Sequence, residues 1–101
     1  MSVSFHYQKD RRFREKIIKS IGYGSTIKTV TIDRGHPKGA EIHKISDTGI
    51  ISIYNEQTQI LITRIIATPN QIKRYYSEDE KVPQFLIALA VEHKLLSKIT
   101  H

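Results

Sequence analysis

The chain has 101 residues, 16 Lys and Arg against 10 Asp and Glu, and no cysteine. That length fits one domain spanning residues 1–101. The lack of cysteine excludes disulfides and thiolate metal sites, and fits a cytoplasmic protein. No apolar run approaches the roughly 18 residues of a membrane span and no secretory signal opens the chain, so no membrane partner is expected, while a net charge of +6 points to a polyanion, nucleic acid first.

The charge is concentrated early. Residues 1–24 carry six basic and two acidic side chains, residues 25–46 four and two, and the remainder sums to zero. From Gln8 to Ile21 the run QKDRRFREKIIKSI repeats Phe13, Ile17 and Ile21 every fourth residue, with Ile18 widening the stripe. This is an amphipathic helix, with Gly22 as its C′ residue. Its other face presents Lys9, Arg11, Arg12, Arg14, Lys16 and Lys19, either as a solvated face or as a phosphate-contacting one.

Thr26 to Arg34 is β-branched and alternating, and the Gly-Pro-Gly punctuation of residues 35–39 leads into a second strand, Ala40 to Ser46. Asp47-Thr48-Gly49 is a tight turn into Ile50–Tyr54, and Asn55 to Thr58 forms another loop. Gln59 to Ala67 (QILITRIIA) reads as the longest strand and a central one. Three short connections in succession imply an antiparallel meander. In Thr68-Pro69-Asn70-Gln71, Thr is an N-cap, Pro sits at N1 and Gln at N3 completes a capping box, so a short helix over 69–76 follows. A last helix runs from about Pro83 to Lys98 and buries Phe85, Leu86, Leu89, Ala90 and Leu96. The fold class is α+β: an N-terminal helix, a four-stranded antiparallel sheet, a short helix and a C-terminal helix.

No HExxH, cysteine pair, calcium loop or phosphate-binding glycine loop is present, so neither a metal nor another cofactor is expected. His36 and His43 with Asp33 or Glu41 fix no third metal ligand. The chemistry these residues suit is metal-independent RNA cleavage, in which the ribose 2′-OH attacks the neighbouring phosphate. A base, an acid and cations for the phosphorane are required. Histidine fills either proton role near neutral pH, and arginine or lysine the third. RGHPKGAEIH, residues 34–43, holds His36, His43, Arg34 and Lys38 together. Arg64 adds a second phosphate clamp if its face meets the same cleft; pairing with an acid for structure is the other reading. Strand parity sets His43 beside Ile45, and Arg64 beside Ile60, Ile62 and Ile66, on apolar-leaning faces where a polar group needs a partner or a cleft. A satisfied, partly buried histidine is the competing reading of His43. Thr68 and Gln71 are a complete cap, yet their helix start also suits an anion. Lys73 and Arg74 before Tyr75 and Tyr76 form a basic-aromatic patch for base stacking, with one of the tyrosines in the core. His93 reads as structural.

The run from Asp33 to Tyr76, with its "GHPKGAEIH" and "IATPNQIKRY" phrases, resembles small phage- and toxin-associated nuclease domains of the barnase–EndoU–colicin–RelE-like group. With the preceding helix and the meander, the resemblance covers about two-thirds of the chain. It implies metal-independent RNA cleavage on tRNA or other structured RNA, with a site drawn from histidine, Arg or Lys, and Ser, Thr or Tyr on the sheet. His36, His43, Arg64 and Thr68 match that expectation. It further implies a toxin or effector, free-standing or from a phage, held by an acidic immunity or antitoxin protein. Two other classes share the charge argument: a non-catalytic nucleic-acid-binding module, and an assembly protein of a mobile element.

Overall fold

The computed structural model describes residues 11–33, 35 and 39–99. The elements run α1 (Arg11–Ile21), β1 (Thr26–Asp33), β2 (Ala40–Ser46), β3 (Ile50–Asn55), β4 (Leu61–Ile66), α2 (Pro69–Arg74) and α3 (Gln84–Ile99). The strands form one antiparallel sheet in the order β1-β2-β3-β4, the meander that the short connections imply. The α+β class and the element order are as the sequence reads.

Two strand details differ. β1, with eight residues, is the longest strand, while β4 has six and lies on an edge rather than at the centre. A meander places its last strand on the outside, and the apolar run around β4 leaves Ile62 43% exposed.

The register sorts the sheet into two faces. Val30 pairs with His43 and Ile32 with Glu41; His43 pairs with Ile53, Ile45 with Ile51, and Ile51 with Ile65. These residues share the first face. On it, buried Ile45, Ile51, Ala67, Ile72, Leu86 and Ala90 form a cluster with α2 and α3. The second face carries Ile50 and Ile66, and α1 seals them with Ile18, flanked by Phe13, Ile17 and Ile21. Helices therefore cover part of each face, and the sheet is the middle layer.

α3 buries Leu86, Ala90 and His93, but Phe85 is 52% exposed. Phe85 to Val91 is an unbroken apolar run, which gives no periodicity from which to choose a face. The buried line Leu86–Ala90–His93 turns Phe85 to the rim. The side chain of Leu96 lies outside those described. Among the described residues, no helix is long and apolar enough to cross a membrane.

Candidate active site

The first face is left open toward the β1–β2 hairpin end, beyond the reach of α2 and α3. There Val30, Ile32, Ile53 and Ile65 floor a cleft of about 420 Å³, and Gln71, Arg74 and Tyr75 wall one side. The size lies within the range of small-molecule and single-residue binding sites. His43 is the polar group on the floor, 2% exposed.

Both nitrogens of His43 are engaged. Nε2 lies 3.0 Å from Glu41 Oε1, and Nδ1 lies 2.6 Å from Tyr75 Oη. A carboxylate only accepts, so Nε2 carries the hydrogen and donates it to Glu41; in the neutral ring Nδ1 then accepts from the tyrosine hydroxyl. The result is a carboxylate–imidazole–phenol relay whose last two members line the cleft. Glu41 and His43 are aligned because residues i and i+2 of a strand share a face. Tyr75 comes from elsewhere. It is the C-cap of α2, with its N–H bonded to Ile72 O at 3.1 Å, and fully buried Ile72 sets that helix on the sheet. The His43 and Tyr75 rings are 5.5 Å apart and tilted by 43°.

α2 owes its position to its start. Thr68 Oγ1 accepts from Gln71 N at 3.2 Å, and Gln71 Oε1 accepts from Thr68 N at 2.9 Å, the capping box that the sequence spells. Thr68 therefore has a structural role and does not line the cleft, whereas Gln71 does. Arg74, at the other end of α2, is exposed and, among the described residues, forms no ion pair. Among the described residues, its guanidinium is the cation that lines the cleft. Lys73 is exposed and not part of the lining.

Lys28, also on this face, is already matched. Its Nζ lies 2.6 Å from Glu80 Oε2 and 4.7 Å from the centre of the Tyr76 ring. That hydrogen bond, with a second from the Ser77 amide, holds the Glu80 carboxyl below the ordinary carboxylate range. Burial raises the Tyr76 phenol, against the opposing pull of Lys28. Both Tyr75 and Tyr76 pack against the core cluster, and of the two Tyr75 also lines the cleft.

The other sequence candidates are placed as follows. Arg64 pairs across the sheet with Ser52, which neighbours Ile53, so it lies on the second face, opposite His43. Its condition for joining the cleft is not met. Among the described residues it pairs with no acid either: its Nε donates to Ser52 Oγ at 3.2 Å and its guanidinium stacks over Tyr23 at 4.5 Å. Arg11 and Arg12 are exposed on α1, also away from the cleft, and Arg14 is half-buried with Nη2 donating to Thr63 Oγ1 at 3.0 Å. Arg34, His36 and Lys38 lie outside the described residues, as do Lys9 and Asp10. His93 is buried on α3 and bonds through Nε2 to Thr48 O at 3.0 Å, a structural link to the β2–β3 turn.

Sequence reasoning did not place Glu41 and Tyr75 on the two nitrogens of His43. Glu41 had a signal, since it shares a strand face with a histidine two positions on. Among the described residues, no three His, Asp or Glu side chains gather as a metal-binding group. Compared with family models, curated proteins and solved structures, the chain finds no match in any of the three.

Proposed function

We propose that this protein is a metal-independent endoribonuclease whose site is the cleft over His43. The observation that carries the reading is the Glu41–His43–Tyr75 relay, whose imidazole and phenol line a cleft that has Arg74 on its wall. Any buried histidine needs partners for its ring nitrogens; what supports function here is that His43 and Tyr75 both line a cleft that Arg74 also lines.

In this reading the ribose 2′-OH gives its proton to Tyr75 Oη as the tyrosine passes its own to His43 Nδ1. The imidazolium that forms is stabilised by the Glu41 carboxylate, the role an acid plays beside histidine in hydrolytic triads. The 2′-oxygen bonds to phosphorus, the bond from phosphorus to the 5′-oxygen breaks, and a 2′,3′-cyclic phosphate remains. Arg74 holds the non-bridging oxygens as charge builds on them. The 5′-oxygen takes a proton from an acid on its own side; from the sequence, that role falls to His36. The substrate is tRNA or another structured RNA in the cytoplasm. The biological setting is a phage- or toxin-type effector restrained by an acidic immunity partner.

The test is digestion of total tRNA and rRNA in EDTA by wild type, Tyr75→Phe, His43→Ala and His36→Ala. Discrete fragments ending in 2′,3′-cyclic phosphate, abolished by Tyr75→Phe in a folded protein, are expected. Intact RNA with wild type, together with salt-dependent gel shifts that all variants retain, would replace this reading with that of a non-catalytic nucleic-acid-binding module.

A further inference from the structure

The second face of the sheet carries a row of side chains that the cleft does not use. Across the four strands, Thr29 pairs with Lys44, Lys44 with Ser52, and Ser52 with Arg64. Hydroxyl and cation alternate along this row, and the two cations are separated by two strand spacings, about 10 Å. α1 covers Ile50 and Ile66, two residues away along the strands, and the row lies beyond that covered part.

Each cation is backed by an aromatic ring. Lys44 Nζ lies 5.2 Å from the centre of the Tyr54 ring, and the Arg64 guanidinium lies 4.5 Å from that of Tyr23. Ser52 Oγ accepts from Arg64 Nε, which ties the guanidinium to its neighbour in the row. Among the described residues, neither Lys44 nor Arg64 forms an ion pair, and no hydrogen bond engages the terminal nitrogens of Arg64. The carboxylate on this face, Asp33, is engaged by the Gly35 amide at 2.8 Å. Tyr23 is 45% exposed, so a planar group can reach its ring.

Half-exposed cations with no ion pair among the described residues, set beside tyrosines on a sheet face, are what a single-stranded nucleic acid needs, with phosphates on the cations and bases on the rings. An acidic protein would use the cations but has no need of the rings. We infer that the Lys44–Ser52–Arg64 row with Tyr23 and Tyr54 is a second RNA-binding surface, which holds the single-stranded flank of an RNA whose scissile residue occupies the cleft on the opposite face. The identity of the ligand rests on the ribonuclease reading; the surface itself is independent of catalysis.

The experiment measures fluorescence anisotropy of a labelled single-stranded 2′-O-methyl RNA of about 12 nucleotides, which lacks the attacking hydroxyl. Wild type is compared with Lys44→Ala/Arg64→Gln and with Tyr23→Leu/Tyr54→Leu, each checked for folding by circular dichroism. Loss of two phosphate contacts should weaken binding roughly ten-fold or more and flatten the slope of log K against log salt by about 1.4. Loss of the two rings should weaken it by about five- to a hundred-fold for each base unstacked. Unchanged affinity and slope in the first variant overturn the inference. So does an equal loss of affinity for a duplex of the same length, which cannot offer its bases. Competition by polyglutamate as effective as that of unlabelled single strand overturns it in favour of an acidic protein. Because this RNA cannot be cut, a protein that binds it here but cleaves no RNA refutes the ribonuclease reading and leaves the surface standing.

Discussion

Tyr75 and His43 are 32 positions apart, yet the tyrosine hydroxyl meets Nδ1 of the imidazole at 2.6 Å. On the far side of the ring, Glu41 takes Nε2 at 3.0 Å. The three side chains come from a strand and the end of a helix, and their order sets both the tautomer and the direction in which a proton can travel.

That order makes Glu41→Gln informative. A carboxylate can only accept, whereas an amide can rotate to present N–H to Nε2, which then moves the ring hydrogen to Nδ1 and against the tyrosine. Cleavage should fall by about 10²- to 10⁴-fold, in line with general-base loss and with acid-to-amide changes in hydrolytic triads. Nitrogen chemical shifts of the His43 ring should report the tautomer change while the sheet signals stay in place. An unchanged rate with an altered tautomer would remove the relay from the mechanism.

Tyr75→Phe separates stability from chemistry. It strands a buried acceptor on a residue 2% exposed, at a cost of about 1–3 kcal/mol. For a domain of this size each 1 kcal/mol shifts the melting temperature by about 4–8 °C. Adding His43→Leu removes the stranded group and should recover part of the melting temperature without recovering activity. Thermal unfolding of the single and double variants checks it; no recovery would mean that the ring packing, not the hydrogen bond, holds Tyr75.

Thr68→Ala addresses a residue that the sequence offers for both capping and catalysis. Its hydroxyl is committed to Gln71 N. The expected effect is a loss of about 1 kcal/mol, within the 0.5–2 typical of N-caps. Turnover per folded molecule should change little, measured below the melting temperature of the variant. A large loss of turnover in a stable protein would restore Thr68 to the chemistry.

The elements were legible because their signals are local. Asp47-Thr48-Gly49 and Thr68-Pro69-Asn70-Gln71 state their turn and cap within four residues, and alternation states the strands. The site was legible in part, since i, i+2 parity puts Glu41 and His43 on one face of β2. Tyr75 was not visible as a partner, because its reach depends on how buried Ile72 rotates α2 over the sheet. Arg64 shows the same limit from the other side. Its neighbours along β4 give its own face, but whether that face meets His43 depends on the register carried through β3. That register places Ser52, not Ile53, opposite Arg64. The apolar run around Phe85 shows a third limit, a helix with too many apolar sides to name the buried one.

Gly24→Ala should be among the most damaging single-methyl changes. Gly24 has φ +69°, and an added Cβ would collide with the Asp47 carboxylate and the Thr48 side chain. Those groups are not free to yield: Asp47 Oδ1 accepts from Ser25 N at 2.9 Å, and Thr48 Oγ1 donates to Gly22 O at 2.8 Å. Left-handed strain alone is about 1–2 kcal/mol, and the overlap adds to it. Chemical denaturation should show a loss larger than that of Thr68→Ala; a smaller loss would mean that this corner relaxes freely.

The Lys28–Glu80 pair yields a pH prediction of definite sign. Lys28 holds the folded Glu80 carboxyl below its unfolded value, so the bridge stabilises the fold above about pH 4.3 and is lost as pH falls through the lowered folded value. Glu80→Gln should therefore be less stable than wild type at neutral pH and converge with it in acid. Glu80 is 45% exposed, so added salt should narrow the neutral difference as well. Tyr76 works in the opposite direction. Burial raises its pKa, so its contribution is complete below pH 10.0 and disappears as the pH climbs through the raised folded value. Tyr76→Phe should remove that alkaline loss and leave the acid limb intact. Melting temperatures of both variants across the pH range check the pair. An acid limb that survives Glu80→Gln unchanged would show that other carboxylates govern it and that the bridge to Lys28 contributes nothing in solution.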